Sequence, residues 1–485
     1  MAVNHGFIIN EAATSIAAPL TANAGLIVVV GTAPVNMLAD PAAAVNKPIL
    51  ARTYQEAVQA VGYSADFKNY TICDVISAAF QVMGVGPVVI INVLDPAKHK
   101  AALTEDTVQV NDGVAVVDET GVLLEGLVVK KDQTTLTADT DYTATFNDDG
   151  TLSIALIAGG QGDGATQLTV SGNKLDPSKV NETDIIGSVN VSTGAESGFE
   201  VVRQVYPKLG LVPGILVAPY FSADANVCAA MQAKCRDINS TFDCVCFVDI
   251  DCTSTGAVKY QDVAEQKVAQ AAISREAYGI WLYPKVGDVM YSASSMAAAA
   301  TAYNDTQYND VPNASPSNVA VPITATCLAD GTEVLVDQEQ GNVLNDAGVA
   351  TWVRTANGFV LWGNETCAYP STTDPKDMFL CIRRFFNYAA ANFVLNNQQR
   401  LDKPMNKKLL QAIVDNENMK GAAYVSNGVC ASYRIELDPN GNTDADLVAG
   451  KISFYMYCTP FPPMKLVKNT MEYEAGALSD ALLAG

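Results

Sequence analysis

Leu26-Ile-Val-Val-Val30, closed by Gly31-Thr-Ala-Pro34, and Pro87-Val-Val-Ile-Ile-Asn-Val-Leu94 are two apolar runs separated by a stretch of helical signals. Short β-branched runs bounded by Gly and Pro read as strands buried on both faces. Between them, Thr53 and Glu56 have capping-box spacing for a helix reaching Val61, and a second helix is expected over Ile72–Met83. Strand, helices and strand in that order predict a βαβ unit with parallel strands.

Working outward, the same alternation resumes after Gly198. Strands are expected at Ile215–Ala218, Val245–Asp249 and Gly279–Tyr283, with helices at Ala223–Arg236, Val258–Arg275 and Ser294–Tyr303. This pattern predicts a mainly parallel sheet covered by helices. Residues 103–191 interrupt it with a Thr-, Val-, Asp- and Gly-rich texture that lacks Cys and Trp. There Tyr142, Ala144 and Phe146 share one face, Asp149-Gly150 makes a turn, and Leu152, Ile154 and Leu156 return. An inserted β-sandwich or barrel-like domain is expected.

In the last third, strands are expected at Val343–Trp352, Gly358–Trp362, Ala431–Leu437 and Lys451–Tyr457, and helices at Pro375–Asn396 and Met405–Asn416. The fold class is therefore α/β and α+β multidomain. An extended arm (1–20) precedes a discontinuous α/β domain (21–102 and 192–342) that carries the insertion (103–191). A C-terminal α+β domain (343–463) and a second arm (464–485) follow.

Composition narrows the function. Apolar residues make up 49% of the 485, enough for several cores. A net charge of −22 repels phosphate backbones, which argues against nucleic-acid binding. The first basic residue is Lys47, and Leu26–Val30 is too short to span a bilayer, so neither a signal peptide nor membrane insertion is expected. The eleven cysteines then read as reduced, buried thiols.

Catalytic chemistry finds little support. The only histidines, His5 and His99, both read as exposed. Cys244, Cys246 and Cys252 give C-x-C-x5-C, but the first two fall on a strand rather than in the turn a tetrahedral site uses. The glycine-rich run 159–164 lacks the Gly-Lys-Ser/Thr ending of a phosphate loop, and Gly31-Thr-Ala-Pro34 lacks the dinucleotide glycines. No catalytic residue, metal or cofactor is expected. An α/β enzyme with an unrecognised site and another self-assembling surface protein remain the alternatives.

Four segments together resemble the contractile phage tail sheath family. They are Gly31-Thr-Ala-Pro34 with Asn46-Lys-Pro48 and Ala79–Leu94; Leu211-Val-Pro-Gly-Ile-Leu-Val-Ala-Pro219 with Val248-Asp249, Tyr283-Pro284 and Ser315-Pro-Ser-Asn318; Leu344-Asn345 and Gly348-Val349 with Gly358-Phe-Val-Leu-Trp-Gly-Asn364 and Thr366; and Lys451-Ile-Ser-Phe-Tyr455 with Pro460, Pro462 and Pro463. One departure is Glu365, where the family usually carries Arg.

The resemblance implies a structural subunit that polymerises helically around an inner tube and contracts to drive it through a cell envelope. Its partners would be other copies of itself, the tube protein, and baseplate and terminator proteins. It would be made in a bacterial host's cytoplasm and built into a virion tail or phage-tail-like particle. The arms would pair with neighbouring subunits, placing Phe7, Ile8, Ile9, Leu466 and Val467 at inter-subunit contacts. A local excess of basic residues, Arg383, Arg384, Arg400, Lys403, Lys407 and Lys408, reads either as a solvated helix face complementing the helix dipole or as a contact with an acidic tube.

Overall fold

The computed structural model describes residues 22–483. The N-terminal arm with Phe7, Ile8 and Ile9, and likewise His5, lies outside the described residues.

The first βαβ unit forms as its residues dictate. Strand β1 (Ile27–Gly31) is followed by β2 (Ile49–Ala51), helix α1 (Tyr54–Val61), helix α2 (Thr71–Ile76) and β3 (Val88–Asn92). The Thr53 side chain accepts from Glu56 N to start α1, while the Glu56 carboxylate accepts from Arg52 N, one residue earlier than a capping box requires. The helix expected over Ile72–Met83 changes winding after α2 into a π-helical stretch, Ser77–Val82.

The insertion follows as seven strands: β4 (Lys100–Asn111), β5 (Val114–Val117), β6 (Val122–Lys131), β7 (Thr134–Thr135), β8 (Tyr142–Phe146), β9 (Leu152–Leu156) and β10 (Gln167–Leu175). They form one antiparallel sheet in the order β7-β6-β10-β4-β5-β9-β8. The β8–β9 hairpin has the anticipated register, Tyr142↔Leu156 to Phe146↔Leu152. Leu103, Val117, Val129, Leu152, Ile154 and Leu168 belong to a core separate from the main one. The sheet occupies 100–175 rather than 103–191. Residues beyond it return to the main body through helix α3 (Glu182–Ile186), which starts with an Asn181–Asp184 capping box.

Next come α4 (Val205–Leu209), β11 (Ile215–Val217), α5 (Ala225–Lys234), β12 (Val245–Asp249), α6 (Val263–Ala269), β13 (Ala277–Ile280), β14 (Tyr283–Val286), β15 (Val289–Met290), α7 (Ala293–Gln307) and β16 (Ala325–Cys327). Two expectations shorten here. The helix proposed for Val258–Arg275 is only α6, because Ala271 takes a left-handed φ of 59° just beyond it. The strand proposed for Gly279–Tyr283 is broken at Leu282, φ 76°. Tyr283 and Pro284 then join a separate sheet ordered β15-β14-β16.

The C-terminal third contains α8 (Gln338–Asp346), β17 (Val349–Thr355), β18 (Gly358–Trp362), α9 (Pro375–Met378), α10 (Leu380–Asn397), α11 (Lys407–Ser426), β19 (Cys430–Leu437), α12 (Asp444–Val448), β20 (Phe454–Pro460) and α13 (Ala475–Leu483). The first half of the strand expected at Val343–Trp352 is helix α8, opened by an Asp337–Gln340 capping box.

The main sheet has eight strands, ordered β18-β17-β13-β12-β11-β1-β3-β2. From β17 to β3 the pairs are parallel, and each edge ends on an antiparallel strand. The boundary expected at 343 is thereby corrected. Strand β17 lies beside β13 (Gly279↔Val349) and extends the sheet begun by β1. Trp281 and Trp352 are both fully buried at this junction, and their indole N–H groups donate to Ala257 O and Leu282 O. Joining these strands buries more apolar surface than two smaller sheets would.

Candidate assembly surfaces

Helix α10 anchors the root of the N-terminal segment. Ala22 N donates to Asn392 Oδ1 at 2.8 Å. Arg384 Nη2 donates to Ala24 O at 2.9 Å, and its guanidinium forms a two-pronged pair with Asp305 at the end of α7. Both partners of that pair are 2% exposed. Burial pushes the Asp305 carboxyl up, and Arg384 opposes the shift.

The basic patch proposed from the sequence therefore divides. Arg384 is a core residue, and Arg383 is mostly buried against Asp377 and Asn387. Neither can face a tube. The arginines fall on the inner side of α10 because Phe385, Tyr388 and Ala389 alternate with them at the buried helix positions. Lys403, Lys407 and Lys408 are exposed, and Arg400 is half-buried beside them.

Strands β19 and β20 form a two-stranded antiparallel sheet, with Tyr433 opposite Cys458 and Leu437 opposite Phe454. Helix α11 covers β19 so closely that a Cβ on Gly421 would sit 2.3 Å from Tyr433 O. Only glycine permits this approach. The Asn418 amide accepts from Ile435 N and donates to Ile435 O, occupying the outer edge of β19 at that residue. Among the described residues, no strand pairs with the outer edge of β20. A hairpin with an open edge is a template for an added strand.

Beyond Pro460 the chain has no regular structure until α13. Leu466 and Val467, expected to offer an edge strand, are 83% and 70% exposed and form no strand within this chain. Met464, Met471 and Tyr473 are exposed as well. Lys465 is exposed too, yet its ammonium meets the buried Glu365 carboxylate.

His99 and ten of the eleven cysteines are buried, and Cys458 is half-buried. His99 is 6% exposed, a correction to the expected exposure. Its Nδ1 accepts from Asp95 N at 2.9 Å and its Nε2 lies 3.5 Å from Asp184, so it fastens the start of the insertion to α3. All eleven cysteines are free thiols. Burial pushes Cys73 up to about 12, far from a reactive thiolate. Among the described residues, no group of His, Cys, Asp or Glu is arranged to hold a metal, and no helix is long and apolar enough to cross a membrane.

Sequence reasoning missed the buried carboxyls Asp74 and Asp249. Asp74 stands alone among apolar residues in α2, which is the signal that could have revealed it. It also missed Asn392, Asn418 and Lys465, polar residues in segments whose neighbours no periodicity identifies.

No family model matches the chain. It is 26% identical to the tail sheath protein of Burkholderia phage BcepMu over 499 residues, covering 100% of this chain and 99% of that protein. It is 31% identical to the tail sheath protein of Escherichia phage P2 over 131 residues, 26% of this chain and 32% of that protein. The sheath complex of an extracellular contractile injection system, PVC, in its contracted state shares the fold with a TM-score of 0.59 at 12% identity. That match covers 98% of this chain and 99% of the other. A sheath tail protein of Desulfitobacterium hafniense aligns over 94% of this chain and 96% of its own length, with a TM-score of 0.53 at 11% identity. Over its whole length the chain is thus similar in sequence to a phage tail sheath protein, and it shares the fold of contractile sheath subunits.

Proposed function

We propose that this sheath subunit polymerises by exchanging its terminal segments with neighbouring copies, enclosing a tail tube that contraction drives forward. The observation that carries the reading is the open edge of β20, in a chain whose segment 461–474 has no regular structure and exposes apolar side chains. An extended strand has unpaired backbone donors and acceptors and is stable only when added to a sheet. Phe7, Ile8, Ile9, Leu466 and Val467 are the residues we assign to these exchanges.

Contraction on this reading needs no bound nucleotide. Two packings of identical subunits store the energy, and the exchanged arms hold the copies together while the bodies move. We assign Lys403, Lys407 and Lys408 to the surface facing an acidic tube, an electrostatic contact weak enough to break as the sheath widens. A baseplate and a terminator complete the partner set, and synthesis takes place in the bacterial host's cytoplasm. Electron microscopy of the purified protein tests the reading. Hollow helical tubes are expected, and discrete particles of another form at every protein concentration would count against it.

A further inference from the structure

Glu365 follows β18, and its side chain is only 1% exposed. The backbone on either side is locked to the start of α10: Thr366 N donates to Met378 O at 2.8 Å and Leu380 N to Asn364 O at 2.9 Å. Glu365 cannot therefore swing outward to water without undoing that seam. Its Oε2 accepts from Asn364 N at 3.1 Å, and its Oε1 faces Lys465. Among the described residues, Lys465 is the only cation within ion-pair reach of it. The Lys465 ammonium also lies 5.6 Å from the centre of the Tyr369 ring, a second, weaker attraction.

The lysine stands in an otherwise unattached run. Among the described residues, the ion pair is the one polar contact between segment 461–474 and the main body, while Met464, Leu466 and Val467 on either side are exposed. Removing a cation from a buried carboxylate leaves an uncompensated charge, which is strongly unfavourable. Among the described residues, no ion pair or side-chain hydrogen bond holds the chain after Lys465 to the main body.

We infer that the C-terminal arm is hinged at Lys465, with the Glu365–Lys465 pair pinning its root to its own subunit and the chain from Leu466 onward free to reach another copy. The inference deepens the arm-exchange reading, since it names the point at which the arm leaves. It also sets the span available for exchange, because the neighbour can take only what lies beyond the pin. When the bodies move, tension on the arm is delivered to the seam between Asn364–Thr366 and Met378–Leu380 rather than to the β19–β20 hairpin.

Trypsin reads the hinge directly, because Lys465 and Lys468 are both cleavage sites and only the first is pinned. In the full-length unassembled chain, mass spectrometry should find cleavage after Lys468 at least tenfold faster than after Lys465. In Glu365→Gln the two rates should converge. Equal rates in the unmodified chain, or a Glu365→Gln chain that still protects Lys465, would overturn the hinge. Should Glu365→Gln melt below the working temperature, thermal melting of Lys465→Gln decides. It should lose stability that Glu365→Gln/Lys465→Gln regains, and a Lys465→Gln melt identical to the parent's overturns the inference. Protection is read in the separate subunit, so the hinge and the exchange of arms into tubes fail independently.

Discussion

Asp74 and Asp249 both accept backbone N–H groups from the first turn of α7, Asp74 from Ser292 at 2.8 Å and Asp249 from Ser294 at 2.7 Å. Two carboxyls, both fully buried, thus share one helix amino terminus. Asp249 is further satisfied by the hydroxyls of Ser222 and Ser294. The other oxygen of Asp74 has no hydrogen-bond partner. Burial pushes both carboxyls up, Asp74 to about 8, and the negative charge of Asp249 adds to the Asp74 shift.

The sign of the pH dependence follows. The folded chain keeps Asp74 protonated up to about pH 8, whereas an unfolded aspartate ionises near 3.9, by roughly the ordinary value. Its contribution to stability is whole below about pH 4 and is lost as pH rises through about 8. Asp74→Asn should flatten that decline and raise the melting temperature at pH 8–9 relative to the parent. Parallel melting curves for the two chains across pH 5–9 would contradict this.

The Arg384–Asp305 pair makes a second prediction. Arg384→Met strands a buried carboxylate and releases Ala24 O, at a cost of about 3–5 kcal/mol. Replacing both partners, as Arg384→Met/Asp305→Leu, should recover much of the loss. Urea titration of the single and double variants measures both quantities. A single variant within about 1 kcal/mol of the parent would show that the pair is not buried as described.

Reversing charge at the exposed lysines tests tube contact without touching the core. Lys403→Glu/Lys407→Glu/Lys408→Glu should leave the subunit's melting temperature nearly unchanged, as expected for surface substitutions. Sheaths should still form and no longer retain tubes in pull-down and microscopy. Retention equal to the parent's would remove these lysines from the interface.

The arms call for cuts on the correct side of the hinge. Deleting residues 2–16, or ending the chain after Lys465, should give a folded subunit of near-parental melting temperature that forms no tubes. Ending it after Pro463 also removes the partner of Glu365 and should lower the melting temperature as well. Tubes from either arm-deleted chain would return these segments to the subunit's own fold.

The insertion is tethered at adjacent points, since Lys100 pairs with Leu175 across β4 and β10. A short Gly/Ser linker can therefore join His99 to Asp176. Tubes should still form, with a modest loss of subunit stability because Leu123 and Leu175 belong to the main core. Unfolding of the remainder would show that the seven-stranded sheet is integral to it.

Sequence alone determined the elements whose chemistry is local. Leu26–Val30, Val88–Asn92 and Val245–Asp249 are β-branched runs that only a doubly covered strand can bury, and Asp149-Gly150 sets a turn whose flanking residues alternate with period two. The resemblance to tail sheath proteins, too, was legible, because Gly358–Asn364 and its companion segments lie within short stretches of chain. Tertiary structure decided what depends on partners distant in the sequence. Strand β17 joined β13 instead of founding a separate sheet, since what β17 buries against is set by residues some seventy positions away. Arg384 and Lys465 look alike in a charge count, yet one is sealed against Asp305 and the other reaches Glu365 from solvent. A charge's role depends on what surrounds it when water is excluded, and hydrophobic periodicity carries no record of that.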